Sequence, residues 1–280
     1  DLQRRPHALA LMPAAQRLYV GLEVPGVDDG GFLAEFDLAA GVKVQEYAVK
    51  PFPAVLAASP DGWVAVHNGA ARDPMLAMYR GAFGEQVALT PMRSPVRLAF
   101  HPAGRMLVVG GDGVDTLAVD PVSGHLGEMQ PTGLGLAGTP VGRPAFLPGG
   151  TNVLMPTGNL YPCNATAIDV TSARWLELNQ LRQAVALPDR GLLALVNEST
   201  ILWLRHPELT RVVERVAPFV ATAAGTFDGK LALASAETGR TQILLLNPPA
   251  RSPDENRPPT AQWVQPTDAS VVVAPAPIVF

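Results

Sequence analysis

One short unit, written again and again along the chain, limits most what it can fold into. It is clearest between Ala99 and Leu126. An apolar pair leads into the turn His101-Pro102-Ala103-Gly104, and the apolar run Met106-Leu107-Val108-Val109 stops at Gly110-Gly111-Asp112-Gly113. A second run, Thr116-Leu117-Ala118-Val119, then ends at Asp120-Pro121 and the turn Ser123-Gly124. Runs this short, rich in Val and Leu and fenced by Gly, Pro and Asp, read as β-strands joined by tight turns. The opening marker returns at Met12-Pro13, Ser59-Pro60-Asp61-Gly62, Leu147-Pro148-Gly149-Gly150, Leu187-Pro188-Asp189 and Phe227-Asp228-Gly229. Successive markers lie roughly 39 to 47 residues apart, the period of a four-stranded sheet repeat.

A second marker keeps the same register. Alternating strands that end in a polar residue follow each turn: Phe32–Asp37, Met75–Arg80, Thr116–Asp120, Ala165–Asp169, Ile201–Arg205 and Gln242–Asn247. The innermost strands are the small apolar ones, Ala8–Leu11, Val55–Ala58, Arg97–Phe100, Pro144–Leu147, Ala184–Leu187 and Val220–Ala224. Helical spacing occurs around Ser172–Leu187, and around Leu209–Val216, where an outer strand is the better reading. A four-stranded sheet cannot bury both faces alone, but it can when packed radially between neighbours. The expected fold is therefore all-β: a β-propeller of six or seven blades of mostly four antiparallel strands. It is read as a single domain over 1–280, with units near 6–50, 51–93, 94–140, 141–180, 181–217 and 218–268. Residues 269–280 form either a closing strand or an incomplete blade.

Composition narrows the function classes. Hydrophobic residues at 48% and charged residues at 16% are too apolar for disorder. A formal charge of −4 gives no electrostatic reason to expect nucleic acid. No apolar stretch reaches the roughly 18 residues of a membrane helix. With one cysteine, Cys163, no intrachain disulfide can form, and an inert, partly buried thiol is expected. A start at Asp1, without Met or signal peptide, fits an exported protein, periplasmic or secreted, although a trimmed cytoplasmic chain would look the same.

Ser59-Pro60-Asp61-Gly62, His101-Pro102-Ala103-Gly104 and Asp120-Pro121-Val122-Ser123-Gly124-His125-Leu126 resemble the repeat turns of the YVTN/WD40-like β-propeller superfamily of bacterial proteins. That resemblance covers nearly the whole chain and implies the fold, since propellers host unrelated activities. A narrower stretch is similar to propeller lactonases of the 6-phosphogluconolactonase type. Leu181-Arg182-Gln183 stands where such a blade reads "PRH", and Val196-Asn197-Glu198 where it reads "VNE". The resemblance implies Arg182 and Glu198 as candidate catalytic residues. Gln183 replaces the family's His, and an amide cannot exchange protons.

In a propeller, ligands meet the loops between second and third strands and those between successive blades. The first set holds Glu23, His67, Asn68, Asp112, Asn159, Asn197, Glu198 and Glu237, expected around the mouth of a central channel. Each also reads as a solvated turn residue. No spacing selects a cofactor. The mixed Glu, Asp and Asn set is where Ca²⁺ would bind, as in propeller gluconolactonases of the regucalcin type. His7, His67, His101, His125 and His206 form no zinc motif; His101 reads as structural, and His67 is the one to watch. Gly133-Leu134-Gly135-Leu136-Ala137-Gly138 matches GxGxxG, but Pro140 and Pro144 forbid the helix a dinucleotide site needs, so it reads as an inter-blade loop.

The expected function is non-catalytic: a binding or scaffolding propeller that engages a protein, peptide or small-molecule ligand at the mouth loops. The alternatives are a lactonase-like hydrolase with an altered active site and a Ca²⁺-dependent sugar-lactone hydrolase.

Overall fold

A computed structural model gives the architecture. It describes residues 4–12, 15–24, 30–50, 52–68, 75–80, 89–91, 97–110, 113–135, 143–176, 181–187, 190–197, 199–216, 222–225, 230–237, 240–249 and 262–264. The protein is all-β, with four-stranded antiparallel sheets in which each strand pairs with the next in sequence, consistent with propeller blades. The first three sheets are β1 (Arg5–Met12), β2 (Arg17–Glu23), β3 (Gly31–Asp37) and β4 (Val42–Val49); β5 (Val55–Ala58), β6 (Trp63–His67), β7 (Met75–Arg80) and β8 (Leu89–Pro91); and β9 (Arg97–Phe100), β10 (Met106–Gly110), β11 (Gly113–Val119) and β12 (Leu126–Gly135). The fourth holds β13 (Ala145–Phe146), β14 (Asn152–Leu154), β15 (Asn159–Pro162) and β16 (Arg174–Trp175). Two more follow: β17 (Gln183–Leu187), β18 (Leu192–Val196), β19 (Thr200–Arg205) and β20 (Thr210–Val216), then β21 (Thr222–Gly225), β22 (Leu231–Glu237), β23 (Arg240–Leu246) and β24 (Gln262–Val264). Among the described residues, no helix is long and apolar enough to cross a membrane.

The chain divides into two compact units. Unit one holds Asp1–Thr139, Gly149–Val153 and Leu160–Arg174; unit two holds Pro140–Pro148, Leu154–Asn159 and Trp175–Phe280.

Unit one is built by packing neighbouring sheets face to face. Alternation sends Tyr19, Leu33 and Val49 of the first sheet against Leu56, Val64, Val66, Ala77 and Tyr79 of the second. The opposite face of the second sheet, Trp63, Ala65, Leu76 and Met78, packs on Leu98, Leu107, Leu117 and Val119 of the third. The middle strands β6 and β7 therefore spend both faces on burial, which is why these runs read as nearly continuous apolar residues. The sheets approach closely at Pro53, which lies where a Cβ on Gly21 or Gly31 would stand, 2.7 Å from the Pro53 carbonyl oxygen or 2.5 Å from its Cδ.

The repeated turn has a mechanical role. Ser59 Oγ accepts the Asp61 and Trp63 N–H groups, each at 3.2 Å. His101 takes the corresponding place: its Nδ1 accepts the Ala103 N–H at 3.0 Å. That leaves Nε2 as the donor to the Gly150 carbonyl, 2.7 Å away. Gly150 has φ +68°, and an added Cβ would stand 2.6 Å from His101 Nε2. Gly104, at φ +70°, is seated against Asp61 of the preceding turn in the same way. The turn glycines are thus required twice, for backbone conformation and for contact with the turn before. We expect Gly150→Ala to lower stability by about 2 kcal/mol, from left-handed strain plus displacement of the His101 ring, as read by chemical denaturation.

Unit two follows the same plan. Val185, Leu187, Leu192, Ala194, Val196, Ile201 and Trp203 of the fifth sheet pack on Ala223, Leu231, Leu233, Leu244 and Leu246 of the sixth.

Three expectations are corrected. Ser172–Leu187 is not helical in its described part: Arg174–Trp175 and Gln183–Leu187 are strands, because pairing within the sheets outweighs the helix-forming tendency of Leu, Glu and Gln. The third strand of the fourth sheet is Asn159–Pro162, not Ala165–Asp169. Asn164 Oδ1 accepts the N–H groups of Thr166 and Ala167, both at 2.9 Å, and holds that segment as a turn. Gly133-Leu134-Gly135 is the end of β12, paired with Gly113 and Val114, rather than a loop. Thr210–Val216 is the outer strand of its sheet.

Candidate functional site

The loops joining second to third strands all leave one end of each sheet, because every sheet is a simple meander. In unit one that end holds His67 and Asn68. His67 closes β6, paired with Val55 on one side and Leu76 on the other, and is 0% exposed. The alternation that buries Trp63 and Ala65 puts the imidazole on the same apolar face. Burial pushes its pKa down to about 4, so the ring is neutral across the physiological range. Asn68 ties the loop shut: its Oδ1 accepts the Met75 N–H at 2.8 Å, and its own N–H donates to the Met75 carbonyl at 3.3 Å. Glu23 ends β2, half-buried, opposite Arg5 and Gly31. Asp112 lies outside the described residues.

In unit two the corresponding polar side chains also shape turns. Asn159 Nδ2 donates to Thr157 Oγ1 at 3.3 Å, while its carbonyl accepts the Met155 N–H at 2.8 Å. Asn197 Oδ1 accepts two N–H groups, from Ser199 at 2.9 Å and Thr200 at 2.6 Å, a full Asx-turn. Arg182, half-buried, donates its N–H to the Val196 carbonyl at 2.9 Å, so its backbone runs beside the residue that leads into the Asn197 turn. Glu198, the proposed partner of Arg182, lies outside the described residues. Glu237 ends β22 opposite Arg240.

Gln183, which stands where the lactonase pattern has His, is committed to the fold. Its Oε1 accepts the Ala223 N–H at 3.0 Å and so joins β17 to β21. Among the described residues no group of three or more His, Cys, Asp and Glu gathers to hold a metal ion. Cys163 is half-buried with its thiol directed at the Gly150 carbonyl, and burial raises its pKa to about 11, far from a reactive thiolate.

A solved structure shares this architecture. The crystal structure of a functionally unknown protein from Desulfotomaculum acetoxidans DSM 771 aligns with a TM-score of 0.67, covering 88% of this chain and 84% of that one. Identity is 14%, so the likeness is one of fold. No family model and no curated protein matches the chain.

Two features escape a reading of motifs. Glu35 is 7% exposed, yet it lies in the sheet face that carries Tyr19. It accepts from Gln45 Nε2 at 2.6 Å and lies 3.4 Å from Arg17 Nε. Burial, with the Glu35 charge adding to it, raises the Tyr19 pKa to about 12. The signal was present in the period-2 pattern, which puts Glu35 on the face of Leu33. The second feature is Arg143, whose N–H donates to the Arg182 carbonyl at 3.3 Å.

Proposed function

We propose that this chain is a non-catalytic binding or scaffolding propeller of the YVTN/WD40-like kind, engaging a ligand or partner through the loops between second and third strands. One observation carries the reading. The polar residues at the sheet ends fasten their own loops: Asn68 accepts the Met75 N–H, Asn159 donates to Thr157 Oγ1, and Asn197 accepts the Ser199 and Thr200 N–H groups. A loop whose ends are fastened loses less conformational entropy on binding, which favours a recognition surface. Catalysis at neutral pH would instead need a group able to exchange a proton there. His67 is buried and held neutral, and Gln183 is tied to Ala223.

The test is a panel of aliphatic and sugar lactones, with and without Ca²⁺, run beside selection of binders from a random peptide library on the full chain. The expected result is no turnover above background, together with enriched peptides whose cross-links map to the second-to-third strand loops. Robust turnover that is lost in Glu198→Gln would overturn the proposal in favour of a hydrolase.

A further inference from the structure

We propose that Arg215 and Trp203 of unit two together hold the carboxylate of a ligand against one face of β19 and β20, at the end of the sheet that carries the Asn197 turn. The inference rests on the binding function proposed above and deepens it, by naming the chemistry of what is bound.

Strand register brings the two residues to one face. Arg215 stands opposite Ile201, and Val213 opposite Trp203. Ile201 and Trp203 belong to the core between the fifth and sixth sheets, and Val213 packs against it. Residues directly opposite share a face, so Arg215 is a diagonal neighbour of Trp203, about 7 to 8 Å away and within reach of long side chains. Ile201 also pairs with Val196, and these two flank the Asn197 turn. The pair therefore lies at the end from which the second-to-third strand loop leaves.

Both side chains bury a donor that the fold does not use. Arg215 Nη1 and Trp203 Nε1 are closed off from solvent, and among the described residues neither meets a hydrogen-bond acceptor. A buried indole N–H ordinarily finds a partner, as Trp63 Nε1 does at the Pro121 carbonyl. On the same strand as Arg215, Arg211 is paired with Glu214. Arg215 is not a snorkelling surface residue either, because a nitrogen of its head group is the part shut away from water. Burial pulls its pKa below the usual arginine value, with no neighbouring charge contributing. A guanidinium stays charged regardless, and a charge withdrawn from water without a counter-ion costs stability. A carboxylate removes that cost. The guanidinium fork matches its two oxygens, and the indole N–H supplies a further donor. Charge balance chooses the carboxylate over phosphate. One negative charge neutralises Arg215, whereas a second would be left beside Ile201 and Val213 in apolar surroundings.

The experiment titrates the full chain by calorimetry at constant low ionic strength. The probes are butyrate, a capped Gly-Glu-Gly tripeptide, their neutral counterparts butyramide and capped Gly-Gln-Gly, and inorganic phosphate. Saturable binding of a carboxylate is expected, with none of the amides and weaker binding of phosphate. Tighter binding of butyrate identifies a small free acid, and of the tripeptide an acidic side chain. Arg215→Met keeps the length of the stem and should weaken binding about tenfold or more, and Trp203→Phe about threefold or more; Arg211→Gln should leave it unchanged. Without ligand, Arg215→Met should unfold at an equal or higher urea concentration than the parent, since it removes a charge that the fold does not pair. These two readouts of Arg215→Met keep the test valid if Trp203→Phe does not fold. Absence of carboxylate binding, amide or phosphate binding as tight as that of the carboxylate, undiminished binding by Arg215→Met, an equal loss in Arg211→Gln, or a lower midpoint for unliganded Arg215→Met would each overturn the proposal. Library peptides that still bind while no carboxylate does would sink this inference alone. Lactone turnover would sink the binding function beneath it.

Discussion

Trp63→Ala is expected to lower stability by about 4 kcal/mol, the middle of the range for a large buried aromatic. The ring is 4% exposed and belongs to the core between the second and third sheets. Its Nε1–H donates to the Pro121 carbonyl at 2.9 Å, which docks β6 onto the turn between β11 and β12. The same turn is gripped by Arg80, whose guanidinium donates to the Val122 carbonyl at 3.1 Å and stands 5.3 Å above the Trp63 ring. Gly124 completes the fit, because at φ +69° a Cβ there would stand 2.6 Å from the indole. Removing the ring thus leaves a cavity and an unpaired carbonyl at one joint between sheets. Trp63→Phe keeps most of the apolar contact and should cost about 1 to 2 kcal/mol, mainly for the lost hydrogen bond and part of the volume. Trp175→Ala is the control. That ring is 57% exposed, and its loss should change stability by less than about 0.5 kcal/mol. Urea unfolding of the three variants beside the parent reads all of these effects.

Acid should weaken the fold through His67. Its pKa is about 4 in the folded chain against 6.5 for the free side chain, and burial is the cause. The unfolded state therefore takes up a proton at a pH where the folded state does not. The resulting stability is complete above pH 6.5, declines as pH falls through the interval down to about 4, and is flat below it. A shift of this size is worth about 3 kcal/mol across the window. His67→Leu keeps an apolar group of similar bulk beside Leu76 and should remove most of that slope. Denaturant midpoints at pH 8, 6, 5 and 4 for the two proteins measure it. A slope that survives in His67→Leu would place the titrating group elsewhere.

Much of the architecture could be read from the sequence, and the reason is the turn. Ser59-Pro60-Asp61-Gly62 and His101-Pro102-Ala103-Gly104 are recognisable because the turn needs a side-chain acceptor first and a residue of positive φ last. Those requirements are local, so they leave a local signature. Val55–Ala58 and Arg97–Phe100 match the sequence reading to the residue, each running directly into such a turn, and Met75–Arg80 matches it as well. The fourth sheet was not. Its outer strand is only Arg174–Trp175, and its third strand ends at Pro162, so neither leaves a run long enough to show a period. The longer pattern in Ser172–Leu187 came from good helix formers whose fate is decided by pairing with the neighbouring strands β15 and β18 rather than by their own spacing.

The candidate site was legible only as a set of residue types. Asn68, Asn159 and Asn197 do fall at loop ends, but each proves to hold its own turn. Sequence could not separate a turn-forming Asn from one that meets a ligand, because both stand in the same place for different partners. The Arg143–Arg182 contact was invisible for another reason. The two residues are far apart in the chain, and the bond between them is a backbone one that no residue type announces.

Interstrand nuclear Overhauser effects in the isotope-labelled chain test the repeated sheet most directly. The account predicts contacts between sequence-adjacent strands, joining Ala65 to Met78, Leu107 to Leu117 and Ala194 to Trp203. Contacts that instead pair strands across the repeats, such as β6 with β10 within one sheet, would contradict it and remove the loop surface along with the fold.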